Sequence, residues 1–337
     1  MAKMIDVAKL AGVSVATVSR VLMGKGKVRE QTRQKVLEAI KQLNYKPNRL
    51  ARNLRRLESQ TVVVVIPDIS NPFFTEIVLG IQEIANQHGY HVLLGNTNND
   101  VKREIQFIEM VKEKVADGVI LVTVRNPKER FLKLAQEFPI VFACEYIKGA
   151  ELPMVTIDNV RSAQCVVNYL VNLGHRKIGY IGGPQQVIVS RDRLQGFIQG
   201  VIQNDIPFEP AYITEGDFGI QSGIEMATKL LQLPSPPTAI FAANDEMAIG
   251  AIKAIKNHGL SVPKDIAIVG FDNITMSTVV EPALTTISQP RRQIGQKAME
   301  LLLQLIHNPM LKREHIVLPY ELVIRQSCGN PSVWSDS

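Results

Sequence analysis

The sequence predicts an N-terminal all-α bundle built on a helix-turn-helix, followed by an α/β core of two lobes with parallel sheets. Three observations predict it. Over residues 6–21 the side chains Val7, Ala8, Ala11, Val18 and Val21 recur at helical spacing on either side of Gly12. From Gln60 onward the pattern changes to short apolar runs alternating with amphipathic stretches, as expected of a parallel sheet covered on both faces. The charge divides at the same place. Residues 1–58 carry seven lysines and seven arginines against Asp6, Glu30, Glu38 and Glu58, a net of +10, while the remainder carries 24 basic against 28 acidic residues, a net of −4. At 337 residues the chain is long enough for two or three compact units.

In the head, Gly12 supplies the positive φ that a sharp corner needs, and Ser14 can cap the second helix by accepting from a free backbone N–H one turn in. Val15, Ala16, Thr17, Ser19 and Arg20 are then left facing outward, and a helix with such a face fits a DNA major groove. A basic head on a mildly acidic body likewise points to a polyanionic partner. Gly24-Lys25-Gly26-Lys27 reads as a loop, because it follows a helix and lacks the third glycine of a dinucleotide fingerprint. A third helix is expected over 30–44, with Val36, Leu37, Ile40 and Leu43 as its apolar face. Pro47 ends the bundle. The very basic stretch 48–56 is either an interdomain linker or a marginal helix too short to hold by itself in water.

In the core, strands over 61–66, 91–95, 118–122 and 140–143 alternate with helices over 73–88, 101–114 and 128–138. A second series has strands over 177–181, 212–214, 239–242 and 266–270, with helices over 160–173, 191–204, 220–231 and 246–258. Two similar lobes follow. A helix over 291–306 and strands over 315–318 and 321–324 remain after the second series is complete. Residues 328–337, with Pro331 and Trp334, lack periodicity and read as a flexible tail.

Cys144, Cys165 and Cys328 are odd in number and far apart, with no C-x-x-C spacing, so they read as reduced structural thiols of a cytoplasmic protein and not as metal ligands. Charge begins at Lys3 with no apolar signal core, and the longest aliphatic run, 62–66, is far too short to span a bilayer. Neither secretion nor membrane insertion is expected. The sequence holds no Walker phosphate loop, no G-x-S-x-G elbow and no H-E-x-x-H, so no enzymatic reaction, cofactor or metal is expected.

A small ligand of a two-lobed α/β core is expected at the strand ends between the lobes. Asp68 to Phe74 follow the first strand and place polar groups beside Phe73 and Phe74, either of which can stack on a ligand ring or serve the core. Asn244 and Asp245 follow the strand 239–242, and Asp272 follows 266–270. These side chains can accept from ligand hydroxyls or cap helices, the cap reading being strongest for Asp245.

The stretch D-V-A-x-x-A-G-V-S-x-x-T-V-S-R-V from Asp6 to Val21, continued by T-R-x-K-V at 32–36 and L-N-Y-x-P-N at 43–48, resembles the lactose/galactose repressor family. The likeness extends over nearly the whole chain. It implies a transcriptional repressor that binds double-stranded operator DNA as a homodimer, answers to a small effector, and works in the cytoplasm on the nucleoid. The implied major-groove contacts are Ser14, Val15, Ala16, Thr17, Ser19 and Arg20. The implied minor-groove contacts are Asn48, Arg49, Ala51, Arg52, Leu54 and Arg55 of a hinge helix, with Leu54 as the wedge between base pairs. The resemblance divides the chain into a helix-turn-helix domain over 1–46, hinge and linker over 47–59, and a core over 60–327 that is also similar to periplasmic sugar-binding proteins. Its first lobe would take about 60–157 and 290–318, its second about 159–284 and 320–327.

The same resemblance implies effector contacts from Arg193 in R-L-Q-G-F and Phe218 in G-D-F, joining Asp68, Phe73, Phe74, Asn244, Asp272 and Gln289. Asp158 and Gln289 would fall at crossings between lobes and sense closure. Val187 and Val189 are apolar where purine-sensing relatives carry polar contacts, and P-D-I-S-N-P-F-F, G-D-F and P-P-T-A-I-F resemble nucleoside-sensing members. A sugar or nucleoside is therefore expected ahead of a free purine base. The competing reading, a cytosolic sugar- or nucleoside-binding protein with no role in DNA regulation, shares the core but leaves the basic head unexplained.

Overall fold

A computed structural model of the protein describes residues 2–23, 28–45, 59–308 and 314–329. The chain divides into two compact units, Met1–Ser59 and Gln60–Ser337.

The first unit holds α1 (Met4–Ala11), α2 (Val15–Met23) and α3 (Glu30–Gln42). Asp6 accepts from the Lys3 N–H at 2.7 Å to start α1. Gly12, at φ +64°, ends it in the left-handed region that costs glycine nothing. Ser14 Oγ accepts from the Thr17 N–H at 3.2 Å, the cap that the sequence predicts for α2. Val7, Ala8, Ala11, Val18 and Val21 are buried together with Val36, Ala39 and Tyr45. Leu37 departs from expectation, standing 49% exposed. The inward stripe of α3 runs through 36, 39, 40 and 43, at i, i+3, i+4 and i+7, and leaves 37 on the adjoining face.

The second unit contains twelve strands among the described residues. The first six are β1 (Thr61–Ile66), β2 (His91–Asn96), β3 (Gly118–Leu121), β4 (Ile140–Ala143), β5 (Met154–Ile157) and β6 (Ile178–Gly182). Then come β7 (Ile213–Glu215), β8 (Ala239–Ala242), β9 (Ala267–Asp272), β10 (Thr285–Ser288), β11 (His315–Leu318) and β12 (Glu321–Val323). One sheet has the order β11-β5-β4-β3-β1-β2, the other β12-β10-β9-β8-β6-β7. In β1, an interior strand of its sheet, residues 62 to 66 are all buried, because helices cover both faces of the sheet. The covering helices are α4 (Pro72–Gln87), α5 (Val101–Lys112), α6 (Lys128–Glu137), α7 (Asn159–Asn172), α8 (Ile188–Gln203), α9 (Ile220–Leu231) and α10 (Asp245–Asn257). After them come the single turn α11 (Met276–Val279) and the long α12 (Arg291–His307).

Three expectations need correction. The second sheet is not wholly parallel: β12 runs antiparallel to β10, pairing Thr286 with Val323. The parallel strands all end at the cleft between the sheets, and the chain leaves β11 at that same level. It therefore enters β12 from the cleft side, heading the opposite way. Second, β5 and β10 are strands that periodicity did not reveal, since each is four residues long and carries buried threonines whose hydroxyls are bonded inside. Third, Cys328 belongs to no flexible tail; it lies in a 3₁₀ turn at 326–328, 6% exposed, and its thiol donates to the Ile268 carbonyl at 3.0 Å.

The chain passes between the two sheets three times. Beyond β5 it enters α7, which packs on α8. After β10 it enters α12, which returns to α4 so closely that a Cβ on Gly295 would sit 2.0 Å from the Ile77 carbonyl oxygen. Residues 319 and 320 make the last passage, from β11 to β12.

Candidate functional site

In the helical unit, Ser14, Ala16 and Arg20 are exposed, while Thr17 and Ser19 are half-buried. Val15 faces outward only in part, because it also packs against the three-helix core. The Ser14 and Thr17 hydroxyls lie 2.9 Å apart, so part of the polar surface of α2 is already bonded to itself. Asn48, Arg49, Ala51, Arg52, Leu54 and Arg55 lie outside the described residues.

Between the two sheets lies a cavity of about 260 Å³ built from strand ends. The first lobe supplies Asp68, Asn71, Phe73 and Phe74 after β1, Asn99 after β2, Arg125 after β3 and Glu145 after β4. Asn71 caps α4 by accepting from the Phe73 N–H at 2.9 Å, which fixes where the two rings stand. Their centroids are 5.1 Å apart and edge-to-face; Phe73 is buried in the core as well as lining the cavity, and Phe74 is half-buried.

Arg193 projects from the first turns of α8 and is 5% exposed. Its Nε donates to Asn159 Oδ1 at 3.0 Å, its Nη1 donates to the Ala243 carbonyl at 2.6 Å, and its guanidinium carbon stands 3.7 Å from the centre of the Phe271 ring. Nη2 lies 3.8 Å from Asp272 Oδ1, which accepts from Gln289 Nε2 at 2.6 Å. Burial pushes the Asp272 carboxyl up to about 6 against the opposing pull of Arg193 and Gln289, and burial also pulls Arg193 down. The ion pair is therefore only partly compensated, and a ligand hydroxyl between its partners would complete it.

Asn244, not Asp245, caps α10. Its Oδ1 accepts from the Met247 N–H at 3.0 Å and its Nδ2 donates to the Phe218 carbonyl at 2.8 Å. One N–H and one lone pair of the amide remain for a ligand. The bond to Phe218 helps hold that residue at φ +73°, over the cavity. Asp245 is fully buried, accepts from the Ile274 N–H and the Thr286 hydroxyl, and is held up to about 8 by burial and by the charge of Asp272. Val187 and Val189 form an apolar wall. Asp158 does not line the cavity; it caps α7 by accepting from the Arg161 N–H.

The cavity thus gathers all eight side chains that the sequence nominates for an effector. It also gathers some that the sequence reading missed. Arg125 and Glu145 form a buried ion pair at 2.7 Å, and Arg125 reaches Asn99 Oδ1 at 3.2 Å. Asn159, Asp217 and Glu246 also line the cavity. Each follows a strand closely, a signal that would have found all but Asn159, whose strand β5 periodicity did not reveal. Nearby, the Tyr146 hydroxyl, from the segment after β4, donates to Asp192 Oδ2 of α8 at 2.8 Å and so bridges the two lobes.

Among the described residues no cluster of His, Cys, Asp or Glu could hold a metal ion, and no helix is long and apolar enough to cross a membrane. The three cysteines are free thiols.

Residues 3–48 match the model of the bacterial regulatory proteins of the lacI family, and residues 167–328 match that of the periplasmic binding protein-like domain. The chain is 42% identical to the HTH-type transcriptional repressor CytR of Escherichia coli (strain K12) over 327 residues, 97% of this chain and 96% of that one. It belongs to the lacI family. As a member, it is a DNA-binding transcriptional regulator with a helix-turn-helix head and an effector-binding core. The lac repressor dimer bound to operator and the anti-inducer ONPF superposes with a TM-score of 0.89 at 31% identity, covering 98% of this chain and 99% of that one. A LacI family regulator from Enterococcus faecium with bound ribose covers 80% of this chain and 98% of its own, at 28% identity and a TM-score of 0.71. These lacI-family proteins are transcriptional regulators.

Proposed function

We propose that this regulator represses transcription from an operator bound by its homodimer, and that a neutral sugar or nucleoside in the cleft sets its operator affinity. The observation that carries the reading is the Arg193–Asp272–Gln289 cluster facing Phe73 and Phe74 across one cavity. A guanidinium and a carboxylate with spare bonding capacity suit vicinal hydroxyls, and the rings and valines suit a sugar face or a base. At about 260 Å³ the chamber lies just below the range of ligand pockets, roughly 300 to 1,000 Å³, and suits a small ligand. Apolar Val187 and Val189 offer a purine base no polar partner. The ribose in the E. faecium relative agrees with this class.

On the DNA side, Ser14, Val15, Ala16, Thr17, Ser19 and Arg20 contact the major groove, Thr17 and Ser19 through phosphates, and Asn48, Arg49, Ala51, Arg52, Leu54 and Arg55 hold the minor groove with Leu54 as the wedge. The protein acts in the cytoplasm on the nucleoid. A thermal-shift screen of free sugars and nucleosides tests the effector reading. A member of the panel should raise the melting temperature, and that same compound should change operator affinity in a gel-shift assay. A panel with no stabilising member overturns the effector class; a stabilising compound without effect on operator binding overturns the control.

A further inference from the structure

Two arginines line the cavity, and both are matched: Arg125 by Glu145 at 2.7 Å and Arg193 by Asp272 at 3.8 Å. Three more carboxylates line it without a matching cation among the described residues. They are Asp68 on the first lobe and Asp217 and Glu246 on the second. Asp68 and Asp217 are each bonded into a local turn, Asp68 by the Ser70 N–H and hydroxyl, Asp217 by the Gly219 N–H. Glu246 has no such bond among the described residues. It is half-buried in the first turn of α10, where the helix dipole tolerates an anion. Burial, together with the charges of Asp272, Asp68 and Asp217, pushes its carboxyl up to about 7. Its carboxylate opens on the ligand chamber with no hydrogen bond spent on a neighbouring turn, so both oxygens are available to a ligand donor.

We infer that Glu246 is a specificity-determining residue of this cleft: its open carboxyl, backed by Asp68 and Asp217, selects uncharged, donor-rich ligands and rejects their phosphorylated forms. The inference rests on the cavity being the effector site. A ligand hydroxyl or amino group donates to Glu246 and gives it the missing bond. A phosphate dianion in the same chamber meets Asp68 and Asp217 on facing walls, and its charge adds to that which already pushes the Glu246 carboxyl up to about 7. Both guanidiniums that would bind it are already engaged. Closing the cleft drives the two acidic walls together, so the penalty grows in the state that holds the ligand.

The test is titration calorimetry of the full chain with D-ribose and the common ribonucleosides, each beside its 5′-monophosphate or 5-phosphate. Wild type should bind at least one neutral compound and take its phosphate about tenfold more weakly or worse, since apposed like charges are costly. That gap should narrow in high salt, which screens a charge effect but not a steric one. In Glu246→Gln, which keeps the shape, the ratio of phosphate to neutral affinity should rise about tenfold or more, and Asp217→Asn should move it the same way. Operator binding serves as the control for folding. Equal or tighter binding of the phosphate by wild type overturns the inference, as does an unchanged ratio in a Glu246→Gln protein that still binds operator. If neither the neutral compounds nor their phosphates bind wild type, the effector reading itself falls and takes this inference with it.

Discussion

Arg193 commits its guanidinium to Asn159, to the Ala243 carbonyl and to the face of Phe271, which leaves the contact to Asp272, at 3.8 Å, as its loosest one and the place where the proposed effector would bind. Removing either partner should abolish the effector response while operator binding stays close to native. A charge-assisted contact is worth about 1.5–3 kcal/mol, so the dose–response curve should move by about an order of magnitude or more. A normal response in both Arg193→Ala and Asp272→Ala would contradict the assignment. Glu246 gives a second test through pH. Its carboxyl is raised in the folded protein from the ordinary 4.5 to about 7, so the native state binds that proton more tightly than the unfolded chain does. The stability it contributes is full below about 4.5 and is lost as pH rises through about 7. The melting temperature of Glu246→Gln relative to wild type should therefore climb between those values and level off above them. A difference that is flat or falls over that window contradicts the burial and the acidic neighbours as causes.

At the scale of elements, α2 carries the sequence-reading claim. With Val15 partly held by the core, Ala16 and Arg20 are its outward groups able to meet base edges. Arg20 can pair with a guanine, and Arg20→Ala should cost about 1–3 kcal/mol and flatten preference at that one base pair in randomised-site selection. Retained guanine preference in the mutant would make Arg20 a phosphate contact. Much at this scale was legible. Residues 62–66 read as a strand because both faces of the sheet are covered, and Ser14 read as a cap because its hydroxyl had a helix to start. The strands β5 and β10 were not legible, since Thr156, Thr285 and Thr286 look polar until their internal partners are known. Asn and Asp are both common cap types, and only the phase of α10 against β8 assigns the cap to Asn244 and not to Asp245. The Arg125–Glu145 pair joins two strand ends twenty residues apart, a separation with no periodic signature. The eight nominated cleft residues came together because strand ends of both lobes face one cavity, a consequence of topology that the alternation already implied.

For the whole molecule, the proposed control requires two arrangements of the lobes that a ligand distinguishes. The Tyr146–Asp192 hydrogen bond at 2.8 Å joins the lobes beside the cavity. Tyr146→Phe should weaken ligand binding severalfold, as expected of one hydrogen bond at about 0.5–1.5 kcal/mol, without altering operator affinity in the absence of ligand. An unchanged ligand affinity would remove that bond from the closure. The central claim, that the cleft and the DNA-binding head form one thermodynamic system, has a direct test in linkage. Operator affinity is measured by fluorescence anisotropy with and without the compound identified by thermal shift, and affinity for that compound is measured with and without operator DNA. The account predicts that the two ratios agree, in the range of about 5–150-fold typical of allosteric coupling, and that both collapse to one in Arg193→Ala. A compound that binds the cleft while leaving operator affinity unchanged, or coupling that survives in Arg193→Ala, would contradict it.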